Sequence, residues 1–160
     1  MIHLACLHDR ARDALPGLLD VCFGPDRHNK IAYRFRDSID EDQRFALSAH
    51  DGPMLVGAIQ YWPCHVSKVS ALLLGPLAVA PAYRNKGIAR LLVNQSLEQV
   101  RQHKADLIVL IGDPELYRQY GFVTSATQGL TIEGEPVERV QIKALTPKGQ
   151  AATGEVLPGA

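Results

Sequence analysis

Arg84-Asn85-Lys86-Gly87-Ile88-Ala89 stands where an apolar run gives way to an amphipathic one. A strand, a small-residue turn and a helix N-terminus in that order make an anion site. The first backbone N–H groups of a helix have no intrahelical partner, and the helix dipole favours negative charge beside them. Gly87 lets a ligand approach the backbone closely, and Arg84 and Lys86 add positive charge. The loop therefore reads as a cradle for phosphates. It lacks the P-loop pattern, because Lys86 precedes Gly87 and no Gly-Lys-Ser/Thr follows. It also lacks the three glycines of the dinucleotide fingerprint. A P-loop nucleotide hydrolase is accordingly a weak reading. Other reactive side chains have plain explanations. Cys64, after Trp62-Pro63, lies in no recognisable Cys/His motif and reads as a structural thiol. Asp113 before Pro114 reads as a helix cap. His65 sits in a polar connector and is expected to be exposed.

The elements that must position this loop follow from periodicity and punctuation. Ile2 to Leu7 predicts a first strand. Leu15, Leu18, Leu19 and Cys22 predict a helix, with Pro16 suited to its first turn, ended by Phe23-Gly-Pro-Asp26. Asn29 to Arg36 predicts a second short helix. Arg44–Ala49 and Met54–Trp62 predict a hairpin around His50-Asp-Gly-Pro53. Ala71–Val79 is too uniformly apolar for an exposed edge strand, and Gly75-Pro76 within it predicts a bulge or a splayed end.

Gly87 to about Lys104 predicts the main helix. Its apolar face is Ala89, Leu92, Val93, Ser96 and Val100, widened by Ile88 and Leu91. Leu107–Ile111 predicts a buried strand, and Glu115 to Tyr120 a helix stopping at Gly121. Phe122 to Thr124 predicts a short strand, 125–138 a loop, and Arg139–Leu145 a final strand. The tail beyond Pro147, rich in small residues, is expected to be loosely held. No repeat or linker divides the chain, so residues 1–160 are expected to form a single domain.

Composition narrows the partners. The 17 basic and 17 acidic residues cancel, which argues against nucleic-acid binding by bulk charge. No apolar run approaches the roughly 18 residues of a membrane span, so no membrane partner is expected. Three widely spaced cysteines, Cys6, Cys22 and Cys64, form neither a disulfide framework nor a metal knuckle. A reduced, cytoplasmic setting is expected, with no metal.

Arg84-x-x-Gly87-x-Ala89 matches the Arg/Gln-x-x-Gly-x-Gly/Ala motif of the GNAT superfamily of N-acetyltransferases, which this chain resembles. The apolar strand before the loop, the long helix and the next apolar strand follow the family's order. Tyr117-x-x-x-Gly121-Phe122 matches its usual ending, and Gly112-Asp-Pro114 is similar to a bacterial subgroup of N-acetyltransferases. The match is specific over Leu72 to Phe122, weak over 1–70 and poor beyond about 125. The resemblance implies an α+β fold with a mixed, mostly antiparallel sheet flanked by helices. That sheet would open between Leu72–Val79 and Leu107–Ile111 to admit acetyl-CoA.

The family's pyrophosphate contacts fall on Arg84, Asn85, Lys86, Gly87, Ile88, Ala89 and Arg90. Its pantetheine contacts fall on the backbone of Leu77, Ala78 and Val79, with an oxyanion-stabilising N–H near Val79. Asp113 and Arg118 complete the cofactor-binding set. Tyr117 takes the position of the catalytic acid that protonates the leaving thiolate. A phenol with a reference pKa of about 10 suits that role. Leu72 to Val79 contains no carboxylate, so the general base that some members carry there is missing. His65 or Asp113 acting through water is the remaining option, and no base is assigned. The acceptor, a small-molecule or peptide amine, would meet Phe23, Arg27, His28, Tyr33, Tyr61 or Trp62. Either a monomer or a homodimer is compatible with the chain. The missing base keeps a competing reading open: a non-catalytic acyl-CoA sensor on the same fold.

Overall fold

A computed structural model describes all 160 residues. The chain runs β1 (Ile2–Cys6), α1 (Asp9–Phe23), two 3-10 turns at Arg27–Asn29 and Ile31–Phe35, β2 (Leu47–Asp51), β3 (Met54–Val66) and β4 (Val69–Val79). It continues with α2 (Ile88–Gln102), β5 (Leu107–Ile111), α3 (Pro114–Tyr117), β6 (Val123–Thr124), β7 (Leu130–Thr131), β8 (Val140–Ala144), α4 (Pro147–Gln150) and β9 (Gly154–Pro158). The sheet order is β1-β2-β3-β4-β5-β8-β6, and every pair along it is antiparallel except β4–β5. This is the mixed, mostly antiparallel sheet expected.

Alternation assigns the two faces. Ile59, Tyr61, Leu72, Leu74, Ile108 and Leu110 meet Ile88, Leu92, Val93, Leu97 and Val100 of α2. Ala58 and Ala78 meet Leu15, Leu18 and Leu19 of α1 on the other face. Farther along that second face, Cys64, Leu73, Leu107 and Val109 pack with Phe35, Leu130 and Val156. The apolar stripe of α2 is narrower than its sequence indicates. Leu91 is 52% exposed, because Leu92, Ser96 and Val100 already saturate the contact with the sheet.

The unbroken apolar run of β4 has a specific cause. Ile59 pairs with Leu77 and Tyr61 with Leu74, so one residue of β3 opposes both Gly75 and Pro76. This bulge reverses the in–out alternation. Leu72 and Leu74 before it, and Leu77 and Val79 after it, therefore pack on the same α2 core.

Two expectations are corrected. Pro16 lies inside α1 rather than in its first turn, because the helix begins already at Asp9. Pro16 is exposed, so the hydrogen bond it forfeits is on the solvent side, while Ala11, Leu15, Leu18 and Leu19 bury the opposite face. The tail beyond Pro147 is not loose. It forms α4 and β9, and β9 pairs with β3 at Cys64, His65 and Val66. β2 occupies one half of that edge of β3, and β9 occupies the other. Ending the chain at Thr153 would expose that edge and remove the buried Val156. We expect such a truncation to lose about 2 kcal/mol, or roughly 4–8 °C in Tm, measurable by thermal melting. An unchanged Tm would mean that β9 contributes nothing to the core.

Candidate functional site

β4 and β5 are hydrogen-bonded as parallel strands only at Leu72–Ile108 and Leu73–Val109. Beyond those pairs they part, and the opening is a cleft of about 1120 Å³. Its floor is the second half of β4. Ala80 N–H donates to Val56 C=O at 2.8 Å, so Ala78 and Ala80 turn their peptide groups toward β3. Leu77 and Val79 alternate with them and turn theirs toward the open side. Of the three β4 residues expected to contact a cofactor by backbone, Ala78 is therefore committed to the sheet.

One end of the cleft is the Arg84–Gly87 loop. Asn85 and Gly87 have φ of 62° and 82°, in the left-handed region. Gly87 is the N-cap of α2, with no side-chain cap and no acidic residue in the first turn. The N–H groups opening α2 are thus left without side-chain acceptors. A Cβ on Gly87 would meet nothing within 4 Å, so the space above its Cα is open. Arg84 Nε donates to Val79 C=O at 3.0 Å, and the Cys22 thiol donates to the same oxygen at 3.4 Å. Asn85, Gly87, Ala89 and Arg90 line the cleft, as does Ile88, whose side chain is core. Arg90 reaches Gln119 at 3.2 Å. Lys86 and Arg118 do not line it. The Lys86 ammonium lies over the Tyr83 ring at 5.4 Å, and Arg118 pairs with Glu115 at 3.0 Å on the surface.

The far wall is the Gly112–Tyr120 segment. Asp113 caps α3 by accepting from the Glu115 N–H at 2.9 Å, and Pro114 takes the first helical position. The cap lines the cleft. Gly121, with φ of 87°, ends the segment as expected. Tyr117 lines the cleft and is 9% exposed, with its ring edge-on to Phe122 at 6.1 Å. A Cβ on Gly112 would lie 2.8 Å from the ring, so Gly112 is the seat of Tyr117. Burial pushes the Tyr117 phenol up to about 12; Tyr120 adds to the rise and Arg36 opposes it.

The end nearest the bulge is built from Asn29–Arg36 and from Glu135 and Arg139. Tyr33 is buried here, and its hydroxyl accepts from Arg27 at 2.8 Å. Arg27, itself paired with Asp20 at 2.9 Å, supports Tyr33 from behind rather than facing the cleft. His28 is exposed and meets Asp37 at 3.1 Å. Tyr61 is wholly inside the α2 core, hydrogen-bonded to Ser96 at 2.8 Å. The Trp62 indole N–H donates to Gly75 C=O at 2.7 Å and lies off the cleft. Of the expected acceptor-site residues, only Phe23 and Tyr33 line it. His65 is half-buried against Gly159 C=O at 2.8 Å, far along β3. Cys64 is buried, and burial alone pushes its thiol up, away from nucleophilic use.

Arg36 and Glu135 were not singled out from sequence. Both belong to irregular segments, where charge ordinarily means solvent. Only the docking of 133–135 on the Ile31–Phe35 turn encloses them, through Arg34 to Glu133 C=O at 3.0 Å and Ile31 against Gly134. No group of three or more His, Cys, Asp or Glu is placed to hold a metal ion, and no helix is long and apolar enough to cross a membrane.

A mixed sheet that parts beyond a two-residue parallel ladder, with an uncapped helix N-terminus at the mouth, defines the GNAT class of fold. The chain belongs to the GNAT acetyltransferase family: the acetyltransferase (GNAT) domain model matches residues 7–124. It is 30% identical over 119 residues to the uncharacterized N-acetyltransferase YhbS of Escherichia coli K12, covering 72% of this chain and 70% of that protein. The crystal structure of E. coli YhbS in complex with CoA superposes with a TM-score of 0.82 at 25% identity, covering 98% of this chain and 87% of that one. A GNAT family acetyltransferase from Brucella melitensis in complex with acetyl-CoA gives 0.74 at 21% identity, covering 100% and 97%.

Proposed function

We propose that the chain transfers an acetyl group from acetyl-CoA to a primary amine by direct attack. The observation that carries this reading is the alignment of three features along one cleft. They are the open α2 N-terminus at Gly87, the outward-turned peptides of Leu77 and Val79, and Tyr117 in the wall of the cleft where β4 and β5 part. The pyrophosphate rests on the amides from Gly87 to Arg90, with Arg84 and Asn85 beside it. The pantetheine arm pairs with Leu77 and Val79 as a short strand would. Arg84 exchanges Val79 C=O for phosphate when the cofactor arrives.

The amine lone pair attacks the thioester carbonyl, whose oxygen charge is met by the Val79 N–H. The C–N bond forms and the C–S bond breaks. The acceptor attacks as the free amine, having given its ammonium proton to water. The nitrogen's second proton leaves to water as the amide forms. The thiolate takes the Tyr117 proton, and water returns a proton to Tyr117. Glu135 in the cleft wall gives the acceptor's ammonium form an anionic neighbour. Its side chain is 15% exposed and only loosely held by Arg139 at 3.9 Å.

Titration calorimetry with CoA and with ATP, followed by thiol release from acetyl-CoA across an amine panel, tests the reading. CoA binding with acceptor-dependent thiol release supports it. ATP binding in place of CoA, or CoA binding with no release for any amine, removes it.

Gly112→Ala gives a further check. Its new Cβ must push the Tyr117 ring by several tenths of an ångström. We expect kcat to fall about tenfold while the KM for acetyl-CoA moves less than about twofold, since misplacement of a reacting group by about 1 Å can cost a hundredfold. Unchanged kcat would show that Tyr117 need not hold this position.

A further inference from the structure

Arg36 is a half-buried cation with no carboxylate of its own. Its Nε is sealed from solvent and has no hydrogen-bond partner. Its guanidinium lies over the Tyr33 ring at 5.0 Å, and its terminal nitrogen stands 2.8 Å from where a Gly75 side chain would begin. Arg36 lines the cleft together with Gly75 and Tyr117. Burial pulls its pKa down to about 10, with Tyr33, Tyr117 and Asp37 opposing the fall, so it is charged at neutral pH. No carboxylate is paired with it. Asp37 is turned to His28 at 3.1 Å, and Glu135 is associated with Arg139. Two further cations, Lys30 and Arg139, line the same end, whereas the wall there offers one carboxylate. Leaving a buried charge unpaired is costly, and a guanidinium is shaped to receive a carboxylate through two parallel N–H donors. The bulge makes room for it. Gly75 has φ of 132° and no side chain, so the Arg36 fork reaches the strand at the point where β4 and β5 part.

We propose that Arg36 reads an anionic group, a carboxylate, on the acceptor, so that the substrate class is amino carboxylates rather than simple amines. This rests on the transferase reading for the reaction but not for the binding. The amino end of such a molecule lies beside Glu135 and attacks the thioester once deprotonated, and its carboxylate closes the Arg36 pair.

The test is calorimetric. The CoA-loaded protein is titrated with the N-acetyl derivatives of the twenty amino acids, each alongside its primary amide. We expect one or more acids to bind at least about tenfold more tightly than the matching amide, as a charge-assisted pair implies. In Arg36→Gln the gap should shrink to within about twofold. Arg36→Lys, which keeps the charge but loses the fork, should restore part of it. CoA affinity should change by less than about twofold in both variants. If no acid outbinds its amide, or if the gap survives in Arg36→Gln, the inference fails. The wild-type comparison decides even if a variant does not fold. Thiol release with the free amino acids is read separately. Arg36-dependent binding without release would overturn the transferase reading and leave this one standing. Release that is equally efficient with amines lacking a carboxylate would do the reverse.

Discussion

Tyr117→Phe is expected to lower kcat by about 10²–10⁴ while leaving the KM for acetyl-CoA and the Tm nearly unchanged. The substitution removes one oxygen and nothing else. The ring keeps its seat on Gly112 and its contacts with Tyr120 and Phe122. No protein group is hydrogen-bonded to the hydroxyl, so no partner is stranded. The raised phenol does not count against the role. The burial that weakens Tyr117 as an acid also raises the basicity of a thiolate generated beside it. With its pKa pushed up to about 12, Tyr117 stays protonated through the ordinary pH range, so the alkaline limb of kcat should not reflect its loss below about pH 11. The sign for stability follows. The folded chain keeps this proton where an unfolded tyrosine, near pH 10, has lost it. The contribution is whole below about pH 10 and disappears as the pH rises toward 12. Stopped-flow or steady-state thiol release across pH 6–11 checks the rate. A variant as fast as the wild type would end the assignment of Tyr117 as the acid.

Gly87→Glu is expected to weaken CoA binding about 10–100-fold. Three effects act together. A side chain at φ 82° is strained by roughly 1–2 kcal/mol, its atoms enter the open space above the loop, and its carboxylate repels a pyrophosphate. Charge-assisted hydrogen bonds to the α2 amides are worth about 1.5–3 kcal/mol, and a 1.4 kcal/mol loss is tenfold in Kd. Gly17 is the control. It lies on the exposed side of α1 without positive φ, so Gly17→Ala should bind CoA normally and stabilise slightly. Wild-type affinity in a folded Gly87→Glu protein would place the phosphates elsewhere.

The segment from Leu72 to Gly121 is legible in the sequence because each element there carries its own punctuation. Gly75-Pro76 marks the bulge, Gly87 the start of α2, Asp113-Pro114 the start of α3, and Gly121 the end of the 3-10 turn Arg118–Tyr120 that follows it. Such signals are local and need no knowledge of neighbours. β9 has no comparable signal. Only Val156 of its five residues is buried, and its reason for being a strand is the free edge of β3, far back along the chain. Tyr61 and Trp62 illustrate the same limit from the other side. An aromatic pair on a strand must face opposite sides, but which side holds the cleft depends on where α2 and the Arg27–Phe35 turns come to rest. Arg36 was hidden for a stronger reason, since a charged residue in a loop is ordinarily solvated and only tertiary packing makes it otherwise.

The pairing of β9 with β3 also bears on how the chain acquires its structure during synthesis. β3 emerges from the ribosome long before residues 154–158 do. Until they follow, the Cys64–Val66 edge has unpaired peptide groups and an apolar flank that includes Val66. Such an edge is a template for the wrong partner, including the same strand of a neighbouring nascent chain. The vulnerable interval lasts as long as translation of the intervening residues. Slowing elongation over that stretch should therefore increase aggregation, even though the finished protein is unaltered.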